Sequence, residues 1–327
     1  MIASSIHRDK EDDMASSMKL LIKIIIIAGM FFCFESSAWA ECVGVVTAGG
    51  GQRFWGDVIK GANQAGKELG IEIHARGAVD EANVEGQRYI IESTMKFGCE
   101  GLVLAPNSKD RIKDVAQLKA QGIPTVFIDR DIGGDRISVI KTENFSAGEK
   151  AGIEMAKALG GKGKIALLRF NEDVVSTTAR ENGFIKGATG GGLEIVVDQY
   201  IGTMVGEART EAYRILKGLK RIDGIFTPNE STSLGVIKAL ERLNKAGNVV
   251  HIGFDSHKVM IESLKSQHIY GFIVQSPFQM GYQGVHTVYR AMHGKDIKQE
   301  VYTDVVFINR ENINHKEIRR MLGLQLD

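Results

Sequence analysis

The sequence predicts an α/β protein built as two similar doubly wound parallel-sheet lobes with a cleft between them. Three observations carry this reading. From Cys42 onward, short apolar runs alternate with amphipathic stretches of helical length, the pattern of parallel strands covered by helices on both faces. The alternation begins afresh after Asn144. Finally, three successive apolar runs each end on a polar residue, Asn229, Asp255 and Gln275, and open α/β sheets bind ligands beyond the carboxyl ends of their strands.

Taken in order, Val43–Thr47 reads as the first strand, followed by a Gly49-Gly50-Gly51 turn and a helix over Phe54–Leu69. Strands over Glu72–Ala75, Gly101–Ala105, Thr125–Ile128 and Ile137–Ile140 are separated by helices over Val84–Phe97 and Lys109–Ala120. In the second half a helix over Ser146–Leu159 stops at Gly160-Gly161, a common C-terminal signal. Strands Lys164–Leu168 and Glu194–Tyr200 flank a helix Thr177–Ala188, and a helix Gly206–Leu216 leads into the three runs ending at Asn229, Asp255 and Gln275. A helix Gly281–His293, one strand over Val301–Ile308 and a short helix Asn314–Met321 complete the chain.

The 327 residues suffice for two domains, each with its own core. Lys and Arg number 41 against 40 Asp and Glu, a net charge of +1, and no basic run stands out. Nucleic-acid binders gather a basic excess on one face, so a nucleic-acid partner is not expected. The N-terminus differs from this average. Lys19 and Lys23 border or interrupt an apolar run from Leu20 to Phe34, and Ser36-Ser37-Ala38-Trp39-Ala40 follows. A basic start, a short apolar core and small residues before Glu41 describe a secretory signal peptide spanning 1–40, cleaved after Ala40. An uncleaved anchor is the alternative, and the acidic stretch Asp9 to Asp13 allows translation to start at Met14 or Met18. Cys33 lies within this segment. Cys42 and Cys99 each precede an apolar run; as neighbouring parallel strands these would bring both sulfurs to one sheet edge, giving a disulfide, with two free thiols as the alternative.

Motifs for covalent chemistry are absent. There is no phosphate-binding Gly-x-x-x-x-Gly-Lys-Ser/Thr, no dinucleotide fingerprint, no Gly-x-Ser-x-Gly and no His-Glu-x-x-His. The reading is therefore of a non-enzyme without cofactor or metal, a hydrolase using Asp255 or Asp129 as base being the rival. The candidate binding residues are Gln52, Phe54, Trp55, Asp129, Arg130, Arg180, Asn229, Asp255 and Gln275, all placed at strand ends or helix starts. Aromatic rings pack on the apolar faces of a sugar ring, and carboxylates, amides and guanidinium groups match hydroxyls that both donate and accept. Each has a structural alternative: Asn229 and Asp255 also fit helix caps, Trp55 a core position, Asp129-Arg130 a surface pair and Gln275 a turn.

The segments Phe54-Trp55, Lys60-Gly61-Ala62, Ile128-Asp129-Arg130, Glu143-Asn144-Phe145-Ser146-Ala147-Gly148, Ala179-Arg180-Glu181-Asn182-Gly183-Phe184, Pro228-Asn229-Glu230, Gly253-Phe254-Asp255 and Gln275-Ser276-Pro277-Phe278-Gln279-Met280-Gly281 resemble, in order and spacing, the type I periplasmic sugar-binding proteins. These are the ribose-binding-like substrate-binding proteins of ABC transporters, and the resemblance runs from Cys42 onward. It implies that the eight candidate residues other than Gln52 line a sugar site. It also implies three crossovers near Thr142, Gln275 and Val301 forming a three-strand hinge, and lobes at 41–142 plus 276–301 and 143–275 plus 302–327. The expected partners are a sugar or sugar-like ligand and either a membrane ABC permease or the periplasmic domain of a sensor, with the protein itself a periplasmic monomer. Two departures bear on the ligand. Ala105 stands where ribose binders often carry Asn, and Gln52-Arg53 where they often carry Asn-Pro. The added cation admits an anionic ligand.

Overall fold

The computed structural model describes residues 41–325; the expected signal peptide and its cleavage site lie outside them. No helix among the described residues is long and apolar enough to cross a membrane.

The first lobe opens with β1 (Cys42–Thr47), α1 (Arg53–Leu69), β2 (Glu72–Gly77), α2 (Val84–Lys96), β3 (Gly101–Leu104), α3 (Arg111–Ala120), β4 (Thr125–Ile128) and β5 (Ser138–Thr142). The second lobe holds α4 (Asn144–Ala158), β6 (Gly163–Arg169), α5 (Val175–Gly190), β7 (Leu193–Tyr200), α6 (Val205–Lys217), β8 (Gly224–Phe226), α7 (Glu230–Arg242), β9 (Val250–Phe254), α8 (Lys258–Lys265) and β10 (Gly271–Val274). The chain returns to the first lobe as α9 (Pro277–Met292) and β11 (Glu300–Thr303), then ends in the second as β12 (Val306–Asn309) and α10 (Lys316–Met321). The sheets run β11-β5-β4-β3-β1-β2 and β12-β10-β9-β8-β6-β7. All pairings are parallel except that of β12 on β10.

Both faces of each sheet are covered, as the near-continuous apolar strands require. In the first lobe Val43, Val45, Val103, Val126 and Ile128 pack with Trp55, Val58 and Ala62 of α1 and Val285 and Val288 of α9. The opposite face packs Val46, Leu102, Leu104 and Phe127 on Ile91, Val115 and Leu118 from α2 and α3. The second lobe repeats the plan: Ile165, Leu167, Phe226 and Phe254 lie under α4 and α5, while Ala166, Leu168 and Ile225 lie under α6 and α7.

The glycines in the family-like segments have a shared physical role. A Cβ on Gly61 of α1 would lie 1.9 Å from the Phe278 carbonyl oxygen of α9, and one on Gly281 of α9 would lie 1.9 Å from that of Val58. In the second lobe a Cβ on Gly148 of α4 would lie 1.9 Å from the Arg180 carbonyl of α5, and one on Gly183 would lie 2.0 Å from that of Phe145. Each lobe thus packs one helix pair backbone against backbone.

One expected element divides. The strand anticipated over Val301–Ile308 is two strands separated by Asp304-Val305, with Thr303 opposite Thr142 in the first sheet and Val306 opposite Val274 in the second. The third crossover therefore lies at 304–305, and the first sheet keeps the chain two residues beyond the anticipated boundary. The crossovers lie side by side: Thr142 Oγ1 donates to Gln275 Oε1 at 2.7 Å, and Ser276 Oγ donates to the Asp304 carbonyl at 3.0 Å. Cys42 and Cys99 are joined in a disulfide at the amino-terminal edge of the first sheet.

Candidate functional site

All nine candidate residues face one cavity between the lobes, at the carboxyl ends of both sheets. Gln52, Phe54, Trp55, Asp129 and Arg130 come from the first lobe, and Arg180, Asn229, Asp255 and Gln275 from the second. Glu81, Ser176, Thr177 and Glu230 complete the lining.

On the first-lobe wall the start of α1 presents Phe54 and Trp55 edge to face, with ring centroids 4.7 Å apart. The Trp55 indole N–H donates to Glu81 Oε1 at 3.0 Å. Arg130 Nε donates to Asp129 Oδ2 at 2.8 Å, and Nη2 to Glu81 Oε2 at 2.9 Å. Burial works against the Arg130 charge, but the Glu81 and Asp129 carboxylates outweigh it and hold its pKa above the ordinary value. Nη1 is buried with no protein partner. A buried donor is rarely left unpaired, so Nη1 is the group that a ligand oxygen would satisfy.

The second-lobe wall is cross-braced. Asn229 caps α7, its Oδ1 accepting from the Thr232 N–H at 3.2 Å, which leaves its amide nitrogen for the cavity. Asp255 does not cap the helix that follows it, a task taken by His257. Its Oδ2 instead accepts from the Glu230 N–H at 3.0 Å, and its Oδ1 from Gln275 Nε2 at 2.6 Å. Arg180 donates to Asn144 Oδ1, the Pro228 carbonyl and Gln275 Oε1 at 2.7, 3.0 and 2.8 Å, and lies 4.1 Å over the Phe254 ring. Arg180 and Gln275 thus brace the wall as much as they line it. Burial lowers the pKa of Arg180 and raises that of Asp255 to about 6, the latter against the pull of Arg180 and Gln275.

The walls also touch each other. Glu230 reaches from α7 to the first turn of α1, its two oxygens accepting from the Arg53 and Phe54 N–H groups at 3.0 and 3.1 Å. A carboxylate at a helix N-terminus meets unpaired N–H groups and the positive end of the dipole, yet burial raises its pKa to about 7. Arg180 Nη2 also stands 3.7 Å from Asp129 Oδ1 across the cleft.

Of the departures thought to alter the ligand, Gln52 lines the cavity, whereas Arg53 and Ala105 lie off its lining. Arg53 bonds Asp57 at 3.2 Å and the Leu322 carbonyl at 2.9 Å, so it adds no cation to the cavity. Ala105 belongs to the first-lobe core. The residues missed in the sequence are Glu81, Ser176, Thr177 and Glu230. An acidic residue in the loop after β2 reads as solvated surface; the only signal for Glu81 was a buried Trp55, whose indole N–H needs an acceptor.

The profile of the periplasmic binding protein domain family matches residues 43–296. The chain belongs to this family. The ribose import binding protein of Bacillus subtilis is 24% identical over 301 residues, covering 87% of this chain and 97% of that protein. The D-apiose import binding protein of Paraburkholderia graminis is 25% identical over 259 residues, covering 75% and 79%. Among solved structures, the periplasmic component of an ABC-type sugar transport system from Hahella chejuensis is 32% identical with a TM-score of 0.79, covering 82% of this chain and 100% of that one. A carbohydrate transporter solute-binding protein from Agrobacterium radiobacter, in complex with D-arabinose, is 26% identical with a TM-score of 0.81, covering 87% and 99%.

Proposed function

We propose that this periplasmic binding protein holds a neutral monosaccharide or a similar polyol in the interlobe cavity and delivers it to an ABC permease. The observation that carries the reading is the convergence of nine aromatic, amide, carboxylate and guanidinium side chains on one cavity, with Arg130 Nη1 left as an unpaired donor. The relatives named for ribose and D-apiose import, and the neighbour holding D-arabinose, support the ligand class. In this reading Phe54 and Trp55 cover the ring, Asp129, Asp255, Arg130 and Asn229 meet its hydroxyls, and the lobes move on the three crossovers to admit and enclose it. Residues 1–40 act as the signal peptide that sends the chain to the periplasm, which N-terminal sequencing of the secreted protein tests.

The deciding experiment is a thermal-shift screen against pentoses, hexoses, polyols, sugar acids and nucleosides. A ligand at 100 times its Kd stabilises by about 2.7 kcal/mol. A shift with a neutral sugar or polyol supports the proposal; a shift only with an amine, amino acid or anion overturns it.

A further inference from the structure

We propose that Glu81 is the positioning residue that fixes the first lobe's half of the site and makes it prefer uncharged ligands to anionic ones. The inference rests on the sugar-binding reading above and assigns its selectivity to a residue outside the nine first identified. Glu81 sits in the loop between β2 and α2, only 7% exposed. Its Oε1 accepts from Gln52 Nε2 at 3.3 Å and Trp55 Nε1 at 3.0 Å, and its Oε2 accepts from Arg130 Nη2 at 2.9 Å. One carboxylate therefore ties together three residues of the cavity wall. All belong to the first lobe, so the network does not depend on the lobes meeting.

The backbone is shaped to admit this network. A Cβ on Gly49 would lie 2.6 Å from Gln52 Oε1 and 3.0 Å from Trp55 Nε1, and one on Gly50 would lie 3.2 Å from the Ala78 carbonyl. The turn after β1 is thus free of side chains where the Glu81 loop and its partners press against it.

The electrostatic consequence follows from the count around one guanidinium. Arg130 is flanked by two carboxylates, Glu81 and Asp129, at 2.9 and 2.8 Å. A hydroxyl oxygen brought to Nη1 gains a charge-assisted hydrogen bond. A ligand carboxylate brought there would also face both acids in a water-poor cavity, where like charges repel strongly. Glutamine at position 81 has the same shape, but its amide offers one acceptor and one donor where three donors now converge, and it leaves Arg130 with a single carboxylate.

The test measures Kd for a neutral sugar that binds the wild type and for the uronic acid of the same sugar. A second readout is Trp55 emission without ligand, in a W39F background that leaves Trp55 as the one tryptophan of the two in the chain. E81Q is expected to weaken neutral-sugar binding at least about tenfold, to narrow the neutral-to-anionic preference by a similar factor, and to shift the emission. W55F keeps Glu81 and should lose affinity while holding the preference. E81D, which keeps the charge on a shorter stem, should shift the emission while holding the preference, and stands in if E81Q does not fold. An E81Q protein with the wild-type preference overturns the proposal, whatever its overall affinity, as does an E81D protein whose preference collapses. If the wild type binds no sugar, the reading of the preceding subsection fails, and the emission of ligand-free E81Q decides the positioning role: a shift supports it and an unchanged spectrum overturns it.

Discussion

Asp129 and Asp255 take the same conformation at the same place in the two lobes. Each follows the last residue of a central strand, at φ of 66° and 69°, and each donates its backbone N–H to the strand beside it, to Ile140 O at 2.9 Å and Ile273 O at 2.7 Å. Both are buried. The left-handed conformation turns each carboxylate off the strand end toward the cleft, so equivalent acids face the cavity from opposite sides. Asp and Asn tolerate this region better than most residues.

Asp255→Ala is accordingly expected to do two separable things. It should abolish the ligand-induced thermal shift, because the cavity loses its acid and both Glu230 N–H and Gln275 Nε2 lose their acceptor; a hydrogen bond to a charged group is worth about 1.5–3 kcal/mol. It should also lower stability by about 1–2 kcal/mol through alanine at positive φ. Asp255→Gly should recover part of that stability without recovering binding. Unchanged affinity in Asp255→Ala would reduce Asp255 to a brace for the start of α7.

Glu230 predicts a pH dependence. Its pKa is raised from 4.5 to about 7, first by burial and then by Asp255, against the Arg53 and Phe54 N–H groups and the Arg53 charge. Asp255 is raised from 3.8 to about 6. A raised acid favours the protonated form, so its contribution is fully present below the ordinary pKa and is lost as pH rises through the raised one. Binding that brings the lobes together should therefore take up protons between about pH 4 and 7 and tighten as pH falls across that window, by at most about 1.4 kcal/mol per pH unit for each proton. Calorimetry in two buffers of different ionisation enthalpy measures the uptake. Glu230→Gln should remove most of the uptake near pH 7 while leaving that near pH 5. Wild-type binding that is flat from pH 5 to 8 would contradict the assignment.

The alternation of apolar runs and amphipathic stretches carried the two-lobe architecture, because a strand covered on both faces must be apolar almost throughout. Residues at strand ends were legible for the same reason: polarity there interrupts an otherwise apolar run, as at Asn229, Asp255 and Gln275. Glu81 and Glu230 were not. Their partners lie at Trp55 and Arg130 for the one, and at the Arg53 and Phe54 backbone for the other, contacts that exist only once separate elements are brought together. The split of Val301–Ile308 was hidden because Asp304-Val305 interrupts the apolar pattern too briefly to mark a crossing between sheets. Arg53 misled in the opposite sense, since a cation beside site residues in sequence turned aside to Asp57 and Leu322.

The disulfide should govern stability and leave binding nearly untouched. Cys42 and Cys99 close a span of 57 residues, for which chain entropy gives a stabilisation of about 4 kcal/mol. They lie at the amino-terminal edge of the first sheet, while the cavity lies beyond the carboxyl ends of its strands. Cys42→Ser/Cys99→Ser should lower Tm by several degrees and change Kd by less than about threefold. A large loss of affinity at a temperature where the variant is fully folded would show that the strand starts and the cleft are coupled.

Two glycines separate close packing from helix propensity. Gly148 of α4 has no room for a methyl group, since a Cβ would lie 1.9 Å from the Arg180 carbonyl of α5. Gly56 of α1 has nothing within 4 Å of that position. Gly148→Ala must push α4 from α5, and Arg180 is bonded to Asn144 on α4 at 2.7 Å and to Gln275 at 2.8 Å, so the same displacement loosens a wall of the cavity. A stability loss of about 1–3 kcal/mol and a weaker ligand are expected together. Gly56→Ala should instead stabilise by about 0.5–1 kcal/mol, the ordinary cost of glycine inside a helix. Denaturant unfolding of both variants, with ligand titration of Gly148→Ala, checks the contrast. If Gly148→Ala is as stable as the wild type, the helices of the second lobe have slack that the crossing does not show, and Arg180 is held by its hydrogen bonds rather than by the helix pair that carries it.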